Sequence, residues 1–268
     1  MTDRAPSRPI ITLTTDFGLS DHYAGAMKGV ILSIAPRAEI VDISHDVGAF
    51  EIVQTVFLLG QFWTYFPKKT IHVVVVDPGV GTTRRPLLVE ASGHRFLAPD
   101  NGVLTGVLRG DPKAKARALT SDRYFLKPVS RTFHWRDIFA PCAAHLARGV
   151  PPARFGRIVP DPFRLALPVP VRTGKRVWTG TVLKIDRFGN LITNFPAEEF
   201  AGMLARRFEM AIGTERVTRM AESYATAAPG ELFLICGSSG YIEISLNQAS
   251  AAKLLGCAAG APAELMVW

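Results

Sequence analysis

Residues 71–85 read Ile71-His72-Val73-Val74-Val75-Val76-Asp77-Pro78-Gly79-Val80-Gly81-Thr82-Thr83-Arg84-Arg85. Four consecutive valines behind an isoleucine and a histidine form a strand apolar on both faces, as in a parallel sheet covered by helices on each side. The strand stops at an aspartate, a proline and two glycines. In open α/β sheets, ligands sit in the crevice beyond the carboxyl ends of the strands. A carboxylate at that end, followed seven residues later by a guanidinium, is placed for chemistry rather than for packing.

Upstream, residues 10–15 (Ile-Ile-Thr-Leu-Thr-Thr) form a β-branched strand ended by Asp16-Phe17-Gly18. Ser20 or Asp21 is placed to cap a helix. In that helix Tyr23, Met27, Val30, Ile31 and Ile34 recur at helical spacing until Pro36. A strand over 39–43 and a largely apolar helix from about 50 to 65 lead into the 71–76 strand. This strand–helix–strand–helix–strand order predicts a parallel sheet covered on both faces. Short strands follow at 87–90 and 95–97, then the turn Ala98-Pro99-Asp100-Asn101-Gly102, then a helix over about 136–148.

Between Val150 and Val171 six prolines accumulate, which is linker chemistry rather than packed helix or strand. Beyond them, short strands with turns fall at 178–185, 191–194, 208–212, 231–236, 241–246 and 264–268. The expected organisation is therefore an α/β N-terminal domain, with a mostly parallel sheet flanked by helices, over 1–165. A smaller, mainly-β, barrel-like C-terminal domain follows over 166–268.

A chain of 268 residues with 48% hydrophobic and 20% charged residues is an ordinary globular composition with ample material for a core. Its net charge of +8, from 31 basic and 23 acidic residues, raises nucleic acid as a partner. The basic residues are scattered, however (Arg84-Arg85, Lys113-Lys115-Arg117, Arg172-Lys175-Arg176, Arg206-Arg207), with no aromatic interleaving. The expectation is a solvated basic surface and no nucleic-acid partner. Cys142, Cys236 and Cys257 are odd in number, far apart and without zinc-ligand spacing, which fits a reducing, cytoplasmic setting and no metal. The N-terminal residues lack a signal core, and no run approaches the ~20 apolar residues of a membrane span.

Gly79-Val80-Gly81 does not make a nucleotide loop: a P-loop needs a GK[ST] ending, and a dinucleotide fingerprint needs a glycine where Arg84 stands. Asp77 with Arg84 reads equally well as a surface ion pair, worth roughly 0–1 kcal/mol. Thr132-Phe133-His134-Trp135-Arg136-Asp137 shifts that balance by placing a histidine between aromatics just before a helix. A histidine, an aspartate and an arginine at element termini make a device for holding and activating one water. Asp186-Arg187-Phe188-Gly189-Asn190 reads as a turn. Gly237-Ser238-Ser239-Gly240 reads as a hairpin loop, or as a place where a ligand comes close to the backbone.

Taken together, TTDFG (14–18), VDPGVGTTRR (76–85), APDNG (98–102), TFHWRDIFAP (132–141), DRFGNLITN (186–194) and SSGYIEISLN (238–247) resemble the S-adenosyl-L-methionine (SAM) hydroxide adenosyltransferases. These are adenosine-forming SAM hydrolases related to the SAM-dependent fluorinase and chlorinase. The motifs stand in family order across nearly the whole chain. The resemblance implies two domains, a homotrimer with ligand between the N-terminal domain of one subunit and the C-terminal domain of the next, SAM as substrate, and no cofactor. It implies a water-activating triad of Asp77, Arg84 and His134, with Arg85 as the competing guanidinium. It also implies Asp16 on the ribose hydroxyls and Phe50 beside the sugar. Asp186, Asn190 and Ser238 are implied for the methionine and adenine moieties, with the stretch around Leu246 and Gln248 at the adenine edge. Trp135 departs from the glycine usual in TFHGRD. The halogenases lack the triad's aspartate and histidine, and both are present here. A halide-using enzyme on this scaffold and a non-catalytic SAM- or adenosine-binding protein are the alternatives.

Overall fold

A computed structural model describes residues 8–268. The stretch before Arg8, where a signal core would lie, falls outside the described residues. The chain divides into two compact units, one ending at Leu165 and the other spanning Ala166–Trp268.

The first unit is built on six strands: β1 (Ile10–Thr15), β2 (Glu39–Ser44), β3 (Ile71–Val75), β4 (Pro86–Ala91), β5 (His94–Pro99) and β6 (Lys115–Ala118). Their order in the sheet is β2-β1-β3-β5-β4-β6. β2, β1, β3 and β5 run parallel, whereas β4 is antiparallel to both β5 and β6. The antiparallel insertion follows from Ser92-Gly93, whose φ angles are both positive (50° and 81°). That two-residue turn closes a hairpin, and a hairpin joins only antiparallel strands.

Four helices cover the sheet: α1 (Tyr23–Ile34), α2 (Ile52–Phe62), α3 (Thr105–Gly110) and α4 (Ala140–Ala147). The valine run is explained by them. Ile71, Val73 and Val75 pack with Met27 and Ile31 of α1 and Ala143 of α4. Val74 packs on the other face with Leu59 of α2 and Val107 of α3. Every residue of β3 is buried, and fully burying an aliphatic side chain contributes about 1.5–3 kcal/mol.

Local boundaries differ in instructive ways. Neither Ser20 nor Asp21 caps α1; the N-cap is His22, with no side-chain cap bond, and its ring packs against Tyr23 at 4.8 Å. The 50–65 helix starts only at Ile52, because Phe50 sits at φ 67° with its N–H donated to Asp16. The helix expected over 136–148 opens with a π-helical turn, Trp135–Phe139, before α4. Such turns recur at functional sites. The proline-rich strap carries one 3₁₀ turn, Pro152–Arg154.

The second unit holds β7 (Val171–Gly174), β8 (Val177–Ile185), β9 (Leu191–Pro196), β10 (Phe208–Ile212), β11 (Glu215–Val217), β12 (Leu232–Cys236), β13 (Tyr241–Leu246) and β14 (Pro262–Val267), with helices α5 (Ala197–Leu204) and α6 (Ala251–Leu255). The sheet order is β11-β10-β14-β8-β9-β13-β12, with β7 on β8, and all of these pairs are antiparallel. A bridge from Met220 to Leu234 links the segment after β11 to β12, so the sheet nearly closes into a barrel. Its interior is filled by Phe195, Phe200, Met210, Leu234, Ile244 and Leu265, among others. Among the described residues no helix is long and apolar enough to cross a membrane.

Candidate active site

β1 and β3 are neighbours with Thr15 beside Val75, so the residues that follow them, Asp16 and Asp77, emerge from the same end of the sheet. Asn101, in the turn after β5, donates to the Val76 carbonyl at 2.9 Å and holds the end of β3 just before Asp77. The loop then folds back through Val80 N–H to Asp77 O (3.2 Å) and Thr82 N–H to Gly79 O (3.2 Å). Gly81 has φ 81°, and a Cβ there would lie 2.7 Å from the Arg131 carbonyl. Only glycine allows this approach, which brings the 77–85 loop against the segment carrying His134.

Arg84 is the hub. Its Nε donates to Asp77 Oδ1 (3.0 Å) and its Nη2 to Asp77 Oδ2 (2.5 Å) and to His134 Nδ1 (2.7 Å). The Arg84 and Asp77 side chains are only 7% and 6% exposed, so this is not the surface pair that the sequence alone allowed. The guanidinium also lies 5.7 Å from the Phe139 ring centre. Among the described residues, the buried Nη1 of Arg84 has no hydrogen-bond partner.

A guanidinium donates and never accepts, so His134 Nδ1 is the acceptor and the neutral ring carries its proton on Nε2. Burial, and then the Arg84 charge, push the His134 pKa below its ordinary value; Asp77 and Asp137 oppose that shift more weakly. Asp16 is shifted the other way, chiefly by burial and additionally by the negative charge of Asp77, against the bond from Phe50 N–H. Of the adjacent arginines, Arg85 turns to Asp100 (2.7 Å) and to Asp161 of the strap (2.9 Å). Arg84 alone serves Asp77.

A cavity of about 430 Å³ opens at this end of the sheet, bordered by Asp16, Phe50, Asp77, Tyr23, Phe133 and Trp135. Of the three linked residues only Asp77 borders it; Arg84 and His134 stand behind the carboxylate. Trp135 is 6% exposed and lies 5.4–5.7 Å, ring to ring, from Phe17, Tyr23 and Phe133. It forms a wall and leaves the cavity open. Phe17 and Tyr23 were not foreseen as lining residues; their signal was only proximity to Asp16.

In the second unit, Asp186 Oδ1 accepts from the Phe188 and Asn190 N–H groups and Oδ2 from Asn190 Nδ2, each at 2.9 Å. Gly189 has φ 89°, and a side chain there would collide with Ser250. Ser238 and Gln248 are exposed, the latter in a left-handed conformation at φ 59°. Leu246, in the same stretch, has a side chain only 7% exposed that packs with the barrel core. The barrel interior claims it because the strand phase points it inward. Sequence reading missed Glu243, a buried carboxylate within the apolar strand β13, with Tyr224 Oη and Ser239 Oγ each at 3.3 Å. Burial, and further the Asp186 charge, raise its pKa. An acidic residue inside Tyr-Ile-Glu-Ile was the available signal. Among the described residues no cluster of three His, Cys, Asp or Glu side chains is arranged to hold a metal.

Known proteins agree with this architecture. Residues 11–156 match the SAM hydroxide adenosyltransferase N-terminal domain and residues 180–264 its C-terminal domain. The chain is 35% identical to an (R)-S-adenosyl-L-methionine hydrolase of Salinispora tropica, over 94% of this chain and 95% of that protein. It is likewise 35% identical to the Thermus thermophilus protein of the same name, over 97% and 100%. A fluorinase of an Actinoplanes species is more distant, at 29% over 71% of this chain and 72% of its own length. The crystal structure of an uncharacterized conserved protein from Thermotoga maritima superimposes with a TM-score of 0.88 at 35% identity, covering 96% of this chain and 99% of that one.

Proposed function

The chain belongs to the SAM hydroxide adenosyltransferase family, and from that premise we propose that it hydrolyses (R)-S-adenosyl-L-methionine to adenosine and L-methionine. The observation that carries this reading is the buried Asp77–Arg84–His134 linkage with its carboxylate on the cavity wall. The preference for the (R) configuration at sulfur rests on the activity named for the two 35% identical hydrolases.

Water attacks the ribose C5′ in line with the sulfonium. The new C5′–O bond forms as the C5′–S bond breaks, and the electron pair leaves with sulfur as the neutral thioether of methionine. The water proton passes to Asp77 and then to solvent. Arg84 fixes the plane of that carboxylate through two parallel bonds, and His134 fixes Arg84 from behind. This positioning role for Arg84 and His134 is indirect, since neither borders the cavity. Asp16 holds the ribose hydroxyls, and Phe50 covers the sugar.

A developing hydroxide and a sulfonium neutralise each other in the transition state, so a cavity walled by Phe133 and Trp135 favours the reaction by lowering the local dielectric. A leaving group that departs neutral needs neither protonation nor a Lewis acid, so the reaction asks for no cofactor. Asp186, Asn190, Ser238 and Gln248 are proposed to hold the methionine and adenine moieties, with Leu246 contributing backbone only. We further propose a homotrimer in which the second unit of a neighbouring subunit supplies these residues, and a cytoplasmic location, supported by three unpaired cysteines.

The test is product analysis with each sulfonium epimer separately. Adenosine and methionine in equal amounts from the (R) epimer, with the (S) epimer consumed far more slowly, is the expected outcome. S-adenosylhomocysteine, a chloride-dependent 5′-chloro-5′-deoxyadenosine, or tight binding without turnover would each overturn it.

A further inference from the structure

The second unit carries ten basic and nine acidic residues, a balance of +1, yet its charge is unevenly placed. A groove of about 530 Å³ is lined by Arg172, Lys175 and Arg176 of the β7–β8 hairpin and by Arg206 just beyond α5, with Trp178 and Trp268. Arg207 adds a fifth cation, its guanidinium 5.2 Å from the Trp268 ring. Four of the unit's ten cations therefore line one concavity, with Arg207 beside its Trp268 wall, against a single lining carboxylate, Glu199. The fold gathers them because β14 runs beside β8 and lays Trp268 against the backbone of Arg207.

None of these five cations takes part in an ion pair among the described residues. Arg172 is nevertheless held in place, stacked 5.3 Å from the Trp178 ring and bonded to the Gly174 and Lys175 carbonyls. Uncompensated, pre-positioned guanidiniums suit the oxygens of phosphate groups, which they bind through paired N–H donors. Trp268 is 43% exposed and offers an indole on which a flat ring can stack. A groove of this size falls within the ~300–1,000 Å³ of small-molecule sites. Outside it, Arg216 and Arg219 are neutralised by Glu209 and Glu231, which argues against a track for a polymer backbone.

We propose that this groove on the barrel binds a nucleoside polyphosphate, at a site separate from the residues proposed for SAM. The proposal does not depend on the hydrolase reading, because its test reads binding. The intact protein is titrated with ATP while tryptophan emission is followed, in the presence of saturating adenosine to fill the substrate cavity. Saturable quenching by ATP, unaffected by the adenosine, is expected. An R176E/R206E double variant that melts like the parent should weaken ATP binding about tenfold or more while leaving SAM turnover unchanged. Should the double reversal fail to fold, Arg206→Gln alone should still weaken it about threefold. No quenching, displacement of ATP by adenosine, indifference to the substitutions, or binding of a single-stranded oligonucleotide but not of ATP would each overturn the proposal.

Discussion

Asp77 of the first unit and Asp186 and Glu243 of the second are held in opposite ways. In the first, Asp77 is clasped on both oxygens by Arg84, and Arg84 in turn by His134. In the second, among the described residues, Asp186 and Glu243 accept from neutral donors: backbone N–H groups, an asparagine amide, and tyrosine and serine hydroxyls. A carboxylate locked to a guanidinium is fixed in orientation, which suits a group that must meet one water at one angle. Carboxylates without a cationic partner carry, while ionised, a charge that no protein cation neutralises, which suits recognition of a cationic group. Under the proposed function this contrast corresponds to a division of labour, with the water-activating group in the first unit and the groups proposed for the methionine and adenine moieties in the second.

The largest effect that tests this division is expected from Asp77→Asn. Turnover should fall by about 10²–10⁴-fold, the usual worth of a general base, while calorimetric SAM binding stays within a few-fold. Arg84→Lys should cost about 10²-fold in kcat with little change in KM, because an ammonium cannot bridge both carboxylate oxygens and His134 together. Arg85→Lys, which affects the strap rather than Asp77, should leave kcat within a few-fold; the two kinetic profiles check the pair. In the second unit the pattern should reverse. Glu243→Gln should raise KM about tenfold with kcat nearly unchanged, and an equal loss in kcat would break the comparison.

The pH dependence sharpens it further. His134 has its pKa lowered by burial and by Arg84, so it stays neutral as pH falls through the ordinary histidine range, and kcat should hold across that range. Glu243 and Asp16 both have pKa values raised by burial, so as pH falls each loses its charge earlier than an ordinary carboxylate and KM should rise first. Initial rates over an acid pH series separate the two limbs. The smallest effect concerns stability. His72, buried against Thr12 and His94, has its pKa lowered by burial to about 3. The folded state therefore binds this proton less readily than the unfolded one, and stability should fall as pH drops from 6.5 towards 3. Its slope is at most about 1.4 kcal/mol per pH unit, measurable as urea midpoints at successive pH values.

Much of the architecture was legible because it is written in local pattern. Val73–Val76 announces a strand covered on both faces, and Asp77 follows its end. The barrel strands are marked by alternation and turns. What escaped reading depends on contacts between distant segments. Arg84 and Arg85 are chemically equal neighbours, and only the separate partners His134 and Asp161 tell them apart. That the Leu246 side chain packs with the barrel core follows from strand pairing the local sequence does not show. The basic residues look scattered along the chain, and the pairing of β14 with β8 concentrates four of them at one groove, with Arg207 beside it. The hairpin at Ser92-Gly93 reverses β4 within a sheet whose other crossovers are parallel. Trp135 reads as a bulky intruder, yet ring contacts with Phe17, Tyr23 and Phe133 set it into the wall.

The central claim is that water, activated at Asp77, forms the new bond at C5′. The most direct measurement is a single turnover of (R)-SAM in oxygen-labelled water, with both products analysed by mass spectrometry. The account predicts label in the 5′-hydroxyl of adenosine and none in methionine. Label in a homoserine product, from attack on the amino-acid arm, or adenosine without label would contradict it.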